Sequence, residues 1–165
     1  MSLATMALAA PLPLSAPLAS RDTGLVNIHN KCTFDIEVDT ALPGSDSGTE
    51  SIEANSTWTH QQINYGGLGQ GISLKVRPTE TDSDAIVQIE YTINDDMSLT
   101  FYDLSLINGN PFEDYVQNLT ANGAGADVVC AQGAQICADA YRWADQVATK
   151  SAVAGTNLDF YLCGQ

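Results

Sequence analysis

The chain has 165 residues, which suits one domain, and 44% of them are apolar, which is enough to bury one core. Six Lys and Arg stand against 20 Asp and Glu, so the formal net charge is -14. Because phosphate binding needs clustered Lys and Arg, this balance argues against nucleic acids and anionic membranes as partners. Polycations, metal ions and neutral polysaccharides stay open, and solubility of a secreted protein explains the charge equally well.

The first 20 residues carry no charge and are rich in Ala, Leu and Pro, which resembles the apolar part of a secretory signal. We therefore predict a signal or propeptide segment at 1–20 and one domain at 24–165. A cytosolic protein with a disordered N-terminal tail is the alternative. No run of 18 apolar residues follows, so no membrane span is expected.

Strict alternation of apolar and polar residues marks three segments, 34–38, 72–76 and 87–93. Period two means one buried and one polar face for each strand, which is typical of antiparallel sheets in a sandwich or barrel. Segment 97–107 is apolar on both faces and is predicted to be a central strand. Asp103 lies inside it, where a carboxylate needs a hydrogen-bonding partner or a cleft.

Near the end of the chain, the Ala-rich stretch 131–148 has no Pro, and no Gly after Gly133, so a short helix is predicted there. Residues 158–163 are predicted to form a last strand that carries the last cysteine. Turn signals separate these segments, among them Gly66-Gly67 and Asn108-Gly109.

Four cysteines behind a signal-like segment predict two disulfides, with three pairings open. They are Cys32, Cys130, Cys137 and Cys163. No Cys-x-x-Cys spacing occurs, so neither a zinc site nor a redox motif is predicted. Asn55 and Asn118 each begin an Asn-x-Thr sequon and are predicted glycosylation sites in a secreted chain.

Five short motifs follow one another along the chain. They are Val-Asn-Ile-His-Asn-Lys-Cys at 26–32, Ser-Thr-Trp-Thr at 56–59 with Gly66-Gly67, Phe-Tyr-Asp-Leu-Ser-Leu-Ile-Asn-Gly at 101–109, Cys-Ala-Asp-Ala-Tyr-Arg-Trp at 137–143 and Phe-Tyr-Leu-Cys at 160–163. In this order they resemble the thaumatin-like protein family. The short chain and four cysteines are most similar to the small fungal members of the yeast-phase-specific type.

The resemblance implies a mainly β fold, a thaumatin-like antiparallel β-sandwich with two disulfides, here with the short helical segment near the C-terminus. It pairs Cys32 with Cys163, which leaves Cys130 for Cys137. A staple from the first strand to the last closes a very long loop and is worth about 4–5 kcal/mol in the chain-entropy model.

Larger members of the family have an acidic cleft of one Arg, one Glu and three Asp. Carried over by position, the cleft residues here are Arg77, Glu90, Asp103, Asn108 and Asp145, with Asn108 standing where the family has an Asp. Arg77 and Glu90 both lie on the polar faces of their strands, and a cleft holding Arg77 against Glu90 and Asp103 would give Asp103 its partner. An ordinary surface ion pair is the alternative.

Glycoside hydrolysis needs two carboxylates, one of them protonated, and only Glu90 and Asp103 are candidates. We expect Arg77 to keep both ionised, and no catalytic residue is predicted. The two histidines, His29 and His60, would need to converge with a carboxylate to bind a metal, and no metal or cofactor is predicted.

The function expected from the resemblance is a secreted, extracellular or cell-wall protein, monomeric and non-enzymatic. It would bind β-glucan or a surface ligand through the acidic cleft, with exposed aromatic residues such as Trp58, Tyr65, Tyr102 or Trp143 assisting. Packing in the core is the alternative for each of these aromatic residues. Two alternatives are an adhesin or effector that binds a host or cell-surface protein through its loops, and a weak endo-β-1,3-glucanase.

Overall fold

The computed structural model describes residues 23–65, 71–134 and 136–164. The predicted signal or propeptide segment at 1–20 and the Gly66-Gly67 turn lie outside these residues. Within the described part, eleven strands form two sheets, and no helix there is long and apolar enough to cross a membrane.

The smaller sheet has five strands in the order β4-β1-β11-β8-β9, and the larger has six in the order β10-β7-β6-β5-β2-β3. The strands, in chain order, are β1 (Leu25–Asn30), β2 (Ile36–Leu42), β3 (Ser45–Ile52), β4 (Thr57–Gln61), β5 (Ile72–Pro78), β6 (Val87–Ile93), β7 (Leu99–Ser105), β8 (Gln117–Thr120), β9 (Val128–Cys130), β10 (Lys150–Val153) and β11 (Leu158–Leu162).

The predicted alternation is present in β2, β5 and β6, where every second side chain is buried. Strand β7 lies inside the larger sheet between β10 and β6, and it too alternates. One set of side chains from each sheet packs into a common core that includes Ile28, Val38 and Phe160. The opposite set points outward, so each sheet has an outer polar face.

Both disulfides are present with the pairing that the resemblance implies, Cys32–Cys163 and Cys130–Cys137. One strand pair departs from the expected antiparallel sandwich, because β1 and β11 run parallel. Cys32 follows the carboxyl end of β1, and Cys163 follows that of β11. Two such cysteines meet when their neighbouring strands run in the same direction.

The predicted helix within 131–148 is wrong, because the described part of this stretch consists of separate turns. Gly133 has a φ of 68°, and the Cys130–Cys137 disulfide closes a short loop around it. Further on, Tyr141 exchanges backbone hydrogen bonds with Leu104 and Leu106 at the end of β7. These bonds satisfy the backbone of Tyr141 against the sheet, so it has no part in a helical ladder.

Candidate functional site

The outer face of the larger sheet carries a cluster of ionisable side chains that point away from the core, and we call it the charged face. It is formed by outward residues of four neighbouring strands: Glu37 and Asp39 on β2, Lys75 and Arg77 on β5, Glu90 on β6, and Asp103 on β7. Alternation alone puts each of them on this side of the sheet.

Glu90 and Asp103 lie directly opposite each other on β6 and β7. They line a pocket of about 170 Å³ together with Phe101, Thr92 and Thr149. Cross-strand neighbours have Cβ atoms only about 5 Å apart, so two carboxyl groups in this position interact strongly. We call this the carboxyl pocket.

Burial, the negative charge of Glu90 and a hydrogen bond to Glu90 raise the pKa of Asp103 to about 7. Burial also raises the pKa of Glu90, although the hydrogen bond from Asp103 and the charge of Lys75 act in the opposite direction. Asp103 therefore holds the proton that the two carboxyl groups share, and Glu90 accepts the hydrogen bond. The other oxygen of Asp103, Oδ1, is shielded from solvent and has no partner among the described residues.

Arg77 is not part of this pocket. Its guanidinium Nε donates to Glu37 Oε1, and its Nη2 lies 3.9 Å from Asp39 Oδ2. On β5 it is Ser73 that lies opposite Glu90, four residues from Arg77, or about 13 Å along the strand. Because β6 begins only at Val87, Arg77 has its strand partner in β2, where Glu37 lies directly opposite it.

The other two predicted cleft residues lie apart from the carboxyl pocket. Asn108 is exposed in the loop after β7, and its Oδ1 accepts a hydrogen bond of 3.1 Å from Gln88 Nε2. Asp145 is exposed in the turns that precede β10. Of the five residues, only Glu90 and Asp103 line one pocket. The sequence carries no signal for Phe101 and Thr149, whereas Thr92 shares the polar side of its predicted strand with Glu90.

The four aromatic residues named from the sequence differ in their exposure to solvent. Tyr102 is fully buried, which agrees with the core-packing alternative, and its hydroxyl donates a 2.7 Å hydrogen bond to the Ala126 carbonyl. Trp58 and Tyr65 pack partly against the core. Trp143 is 54% exposed and remains available.

The outer face of the smaller sheet has a different chemistry, and we call it the network face. Asp159 accepts hydrogen bonds from Asn27 Nδ2, His29 Nε2 and Asn122 Nδ2 at 2.9, 2.8 and 2.7 Å. His29 also contacts Thr57 Oγ1 at 3.0 Å and stacks on Tyr161 with ring centroids 4.3 Å apart.

Asp159 is buried, and burial alone would raise its pKa. The hydrogen bonds from His29, Asn27 and Asn122 outweigh that effect, so the pKa of Asp159 is lowered. On β4, Thr57 lies opposite His29 and therefore faces the same side of the sheet. His60 is three positions further along β4, so its side chain lies on the opposite side from His29. No group of three His, Cys, Asp or Glu that could hold a metal ion occurs among the described residues.

The two predicted glycosylation sites differ in accessibility. Asn55 is exposed, in a turn with a φ of 58°. Asn118 is half-buried in β8, and its Oδ1 is shielded from solvent. Glycosylation at both positions stays a prediction.

Residues 14–164 match the family described as Blastomyces yeast-phase-specific protein. An antigenic thaumatin-like protein of Arthroderma benhamiae is 34% identical over 164 residues, covering 98% of this chain and 80% of that protein. The secreted thaumatin-like protein calA of Emericella nidulans is 31% identical over 153 residues, covering 90% of this chain and 85% of that protein.

Two solved structures share the fold. The protein elicitor MoHrip2 from Magnaporthe oryzae superposes with a TM-score of 0.70 at 22% identity, covering 86% of this chain and 99% of that one. The thaumatin-like xylanase inhibitor TLXI superposes with a TM-score of 0.58 at 15% identity, covering 84% and 99%.

Proposed function

The chain belongs to the Blastomyces yeast-phase-specific family of small fungal thaumatin-like proteins, and on that premise we propose that it binds cell-wall β-glucan through the carboxyl pocket without catalysing a reaction. The two disulfides and the secreted relative from Emericella nidulans support an extracellular location for this chain.

The observation that carries this proposal is the cross-strand pairing of Glu90 with Asp103, whose pKa is raised to about 7, in a pocket beside Phe101. The O–H of Asp103 donates to Glu90, so the pair offers acceptor oxygens to sugar hydroxyl groups, and the Thr149 hydroxyl lines the same pocket. A half-buried aromatic ring beside these groups gives an apolar surface for the face of a sugar ring.

The same geometry argues against hydrolysis by these two residues. The sequence predicts that Arg77 keeps both carboxyl groups ionised. In the structure Arg77 pairs with Glu37 and Asp39. Instead the two carboxyl groups share a hydrogen bond. Retaining and inverting glycosidases hold their carboxyl groups about 5 Å apart or farther, to admit the substrate or a water molecule.

Retention on insoluble β-1,3-glucan tests the proposal. Wild-type protein is expected to sediment with the glucan, and the Glu90→Ala/Asp103→Ala variant is expected to stay largely in solution. The matched control is Glu37→Ala/Asp39→Ala, which also removes two carboxyl groups from the charged face and should still be retained. Equal retention of wild type and the first variant, or no retention of wild type, contradicts the proposal.

The non-enzymatic part of the proposal has its own measurement. Purified wild-type protein is expected to release no reducing sugar from laminarin, a soluble β-1,3-glucan. Release that disappears in Glu90→Gln would instead identify a weak glucanase that uses this pair.

A second candidate function is protein binding through the loops. Ile136, Trp143 and Val147 are 69%, 54% and 91% exposed within one stretch of turns, and a protein partner would bury these apolar side chains. The solved structures of an elicitor and of a xylanase inhibitor with this fold are in line with such a role. Cell binding that survives Glu90→Ala/Asp103→Ala but is lost in Trp143→Ser/Val147→Ser would favour this candidate.

A further inference from the structure

A larger groove lies at the end of the β2–β5 strand pair, and none of its lining residues belongs to the carboxyl pocket. It has a volume of about 600 Å³, within the range of ligand pockets. Its walls are two aromatic rings, two prolines and two carboxylates, from Phe34, Tyr115, Pro78, Pro111, Asp35 and Glu80. We call it the end groove.

The aromatic side of the end groove is held by the covalent frame of the domain. Phe34 follows Cys32 by two residues, and Cys32 is bonded to Cys163. The backbone N–H of Cys163 donates a 3.0 Å hydrogen bond to the carbonyl of Val116, the residue after Tyr115. The Phe34 and Tyr115 rings meet edge to face, with centroids 5.6 Å apart and planes inclined by 62°. The groove is therefore formed before any ligand arrives.

The charged side of the end groove is entirely acidic. Asp35 is fixed where it enters β2, because its Oδ1 accepts the N–H of Ala54 at 2.8 Å and its backbone carbonyl accepts the N–H of Thr79 at 3.1 Å. A carboxylate has about four acceptor positions, so Asp35 keeps capacity for a ligand. Glu80 is exposed across the groove. Lys31 precedes Phe34 by three residues and Arg77 precedes Pro78, but neither cation lines the groove. Arg77 is bonded to Glu37 instead.

We propose that the end groove binds an arginine side chain in a segment of a partner protein. A guanidinium group is planar and cationic, so it can lie against an aromatic ring while its N–H groups donate to a carboxylate. The acidic lining and the net charge of -14 both attract such a group. Pro78 and Pro111 offer apolar walls for the methylene groups of the arginine stem.

A sugar ring fits these walls less well. The Phe34 and Tyr115 planes are inclined by 62°, so only one of the two rings can lie against the face of a pyranose. The two carboxylates of the lining favour a cation over a neutral sugar. The groove is suited to a single side chain inserted between walls. A cationic amino-sugar polymer is nevertheless a distinct outcome that the experiment must separate.

Fluorescence anisotropy with a labelled Gly-Pro-Arg-Pro-Gly peptide tests this. The matched probe replaces arginine by citrulline, which keeps the shape and removes the charge. We expect the citrulline peptide to bind at least about fivefold more weakly. Tyr115→Ala should weaken binding of the arginine peptide about five- to tenfold, and Glu80→Gln about threefold.

Two control variants separate the groove from general charge. Tyr115→Phe keeps the ring and should bind like wild type, which also guards against misfolding of Tyr115→Ala; both are checked by thermal unfolding. Asp127→Asn removes one exposed charge beside β9, outside the groove, and should leave binding unchanged.

Three results would overturn the proposal. Equal binding of the arginine and citrulline peptides would show that no guanidinium is recognised. Equal weakening by Asp127→Asn and Glu80→Gln would show attraction by net charge alone. Tighter binding of chitosan oligomers than of the peptide, lost in Tyr115→Ala, would assign the groove to an amino sugar.

Discussion

Asp103 on the charged face and Asp159 on the network face are both outward-facing aspartates in interior strands of their sheets, yet their pKa values move in opposite directions. Burial acts on both and favours the neutral acid. Asp103 faces another carboxyl group, and its pKa rises to about 7. Asp159 receives three N–H donors, and its pKa falls. Burial and the neighbouring carboxyl group act together at Asp103, whereas at Asp159 the N–H donors act against burial and outweigh it, so the partners decide the direction of the pKa shift.

The largest effect is expected from removing the carboxylate of the network face. Asp159→Ala leaves Asn27, His29 and Asn122 without their common acceptor, and hydrogen bonds to charged groups are individually worth about 1.5–3 kcal/mol. We expect a loss of about 3 kcal/mol in the free energy of unfolding by urea at pH 7, since such losses do not add fully.

Asp159→Asn is the partial control for that change, because it keeps one acceptor oxygen and should lose less. A loss below about 0.5 kcal/mol in Asp159→Ala would mean that the network is an ordinary surface arrangement.

An intermediate and opposite effect is expected at Asp103, and it depends on pH. A carboxyl group whose pKa is raised on folding contributes stability below its unfolded pKa, near 3.9, and loses it as the pH rises through its folded pKa, here about 7. The stability of the wild type should therefore fall between about pH 4 and pH 7 because of this group. Asp103→Asn removes this loss and should be more stable than wild type by about 1–2 kcal/mol at pH 8, after allowance for solvent screening.

For Asp159 the sign is reversed. Its folded pKa is lowered, so its stabilising contribution is complete above the unfolded value near 3.9 and is lost as the pH falls below it. Urea unfolding from pH 3 to pH 8 separates the two aspartates. Titration of the Asp103 carboxyl carbon by NMR, with a fall in its pKa in Glu90→Gln, identifies the cause. An unshifted Asp103 would refute the shared proton.

The smallest effect is expected for Arg77→Ala. Arg77 forms surface ion pairs with Glu37 and Asp39, and such pairs are worth about 0–1 kcal/mol. The midpoint temperature of thermal unfolding should therefore change little. The titration of Asp103 should not change either, because Arg77 lies about 13 Å along β5 from the position opposite Glu90. A rise in the pKa of Asp103 in this variant would show that Arg77 does interact with Asp103, as in the cleft predicted from the sequence.

The strands were predictable because their signal is local. In β2, β5 and β6 each apolar residue is two positions from the next, and no knowledge of neighbours is needed to assign the buried side. The helix prediction failed for the same reason. Composition favoured a helix at 131–148, but the disulfide at Cys137 and the backbone bonds between Tyr141 and β7 are tertiary contacts that override local propensity.

The sequence by itself determined that Arg77 and Glu90 point outward from strands of a disulfide-bonded β protein and that Asp103 needs a partner, and its motifs identified the family. Only the tertiary structure decided which of them meet. Strand β5 lies between β2 and β6, so Arg77 pairs with a residue forty positions earlier, while register sets Glu90 against Asp103. Strand order and register depend on the packing of the whole core, and through them that packing gives Arg77 its partner and sets the pKa shifts of Glu90 and Asp103.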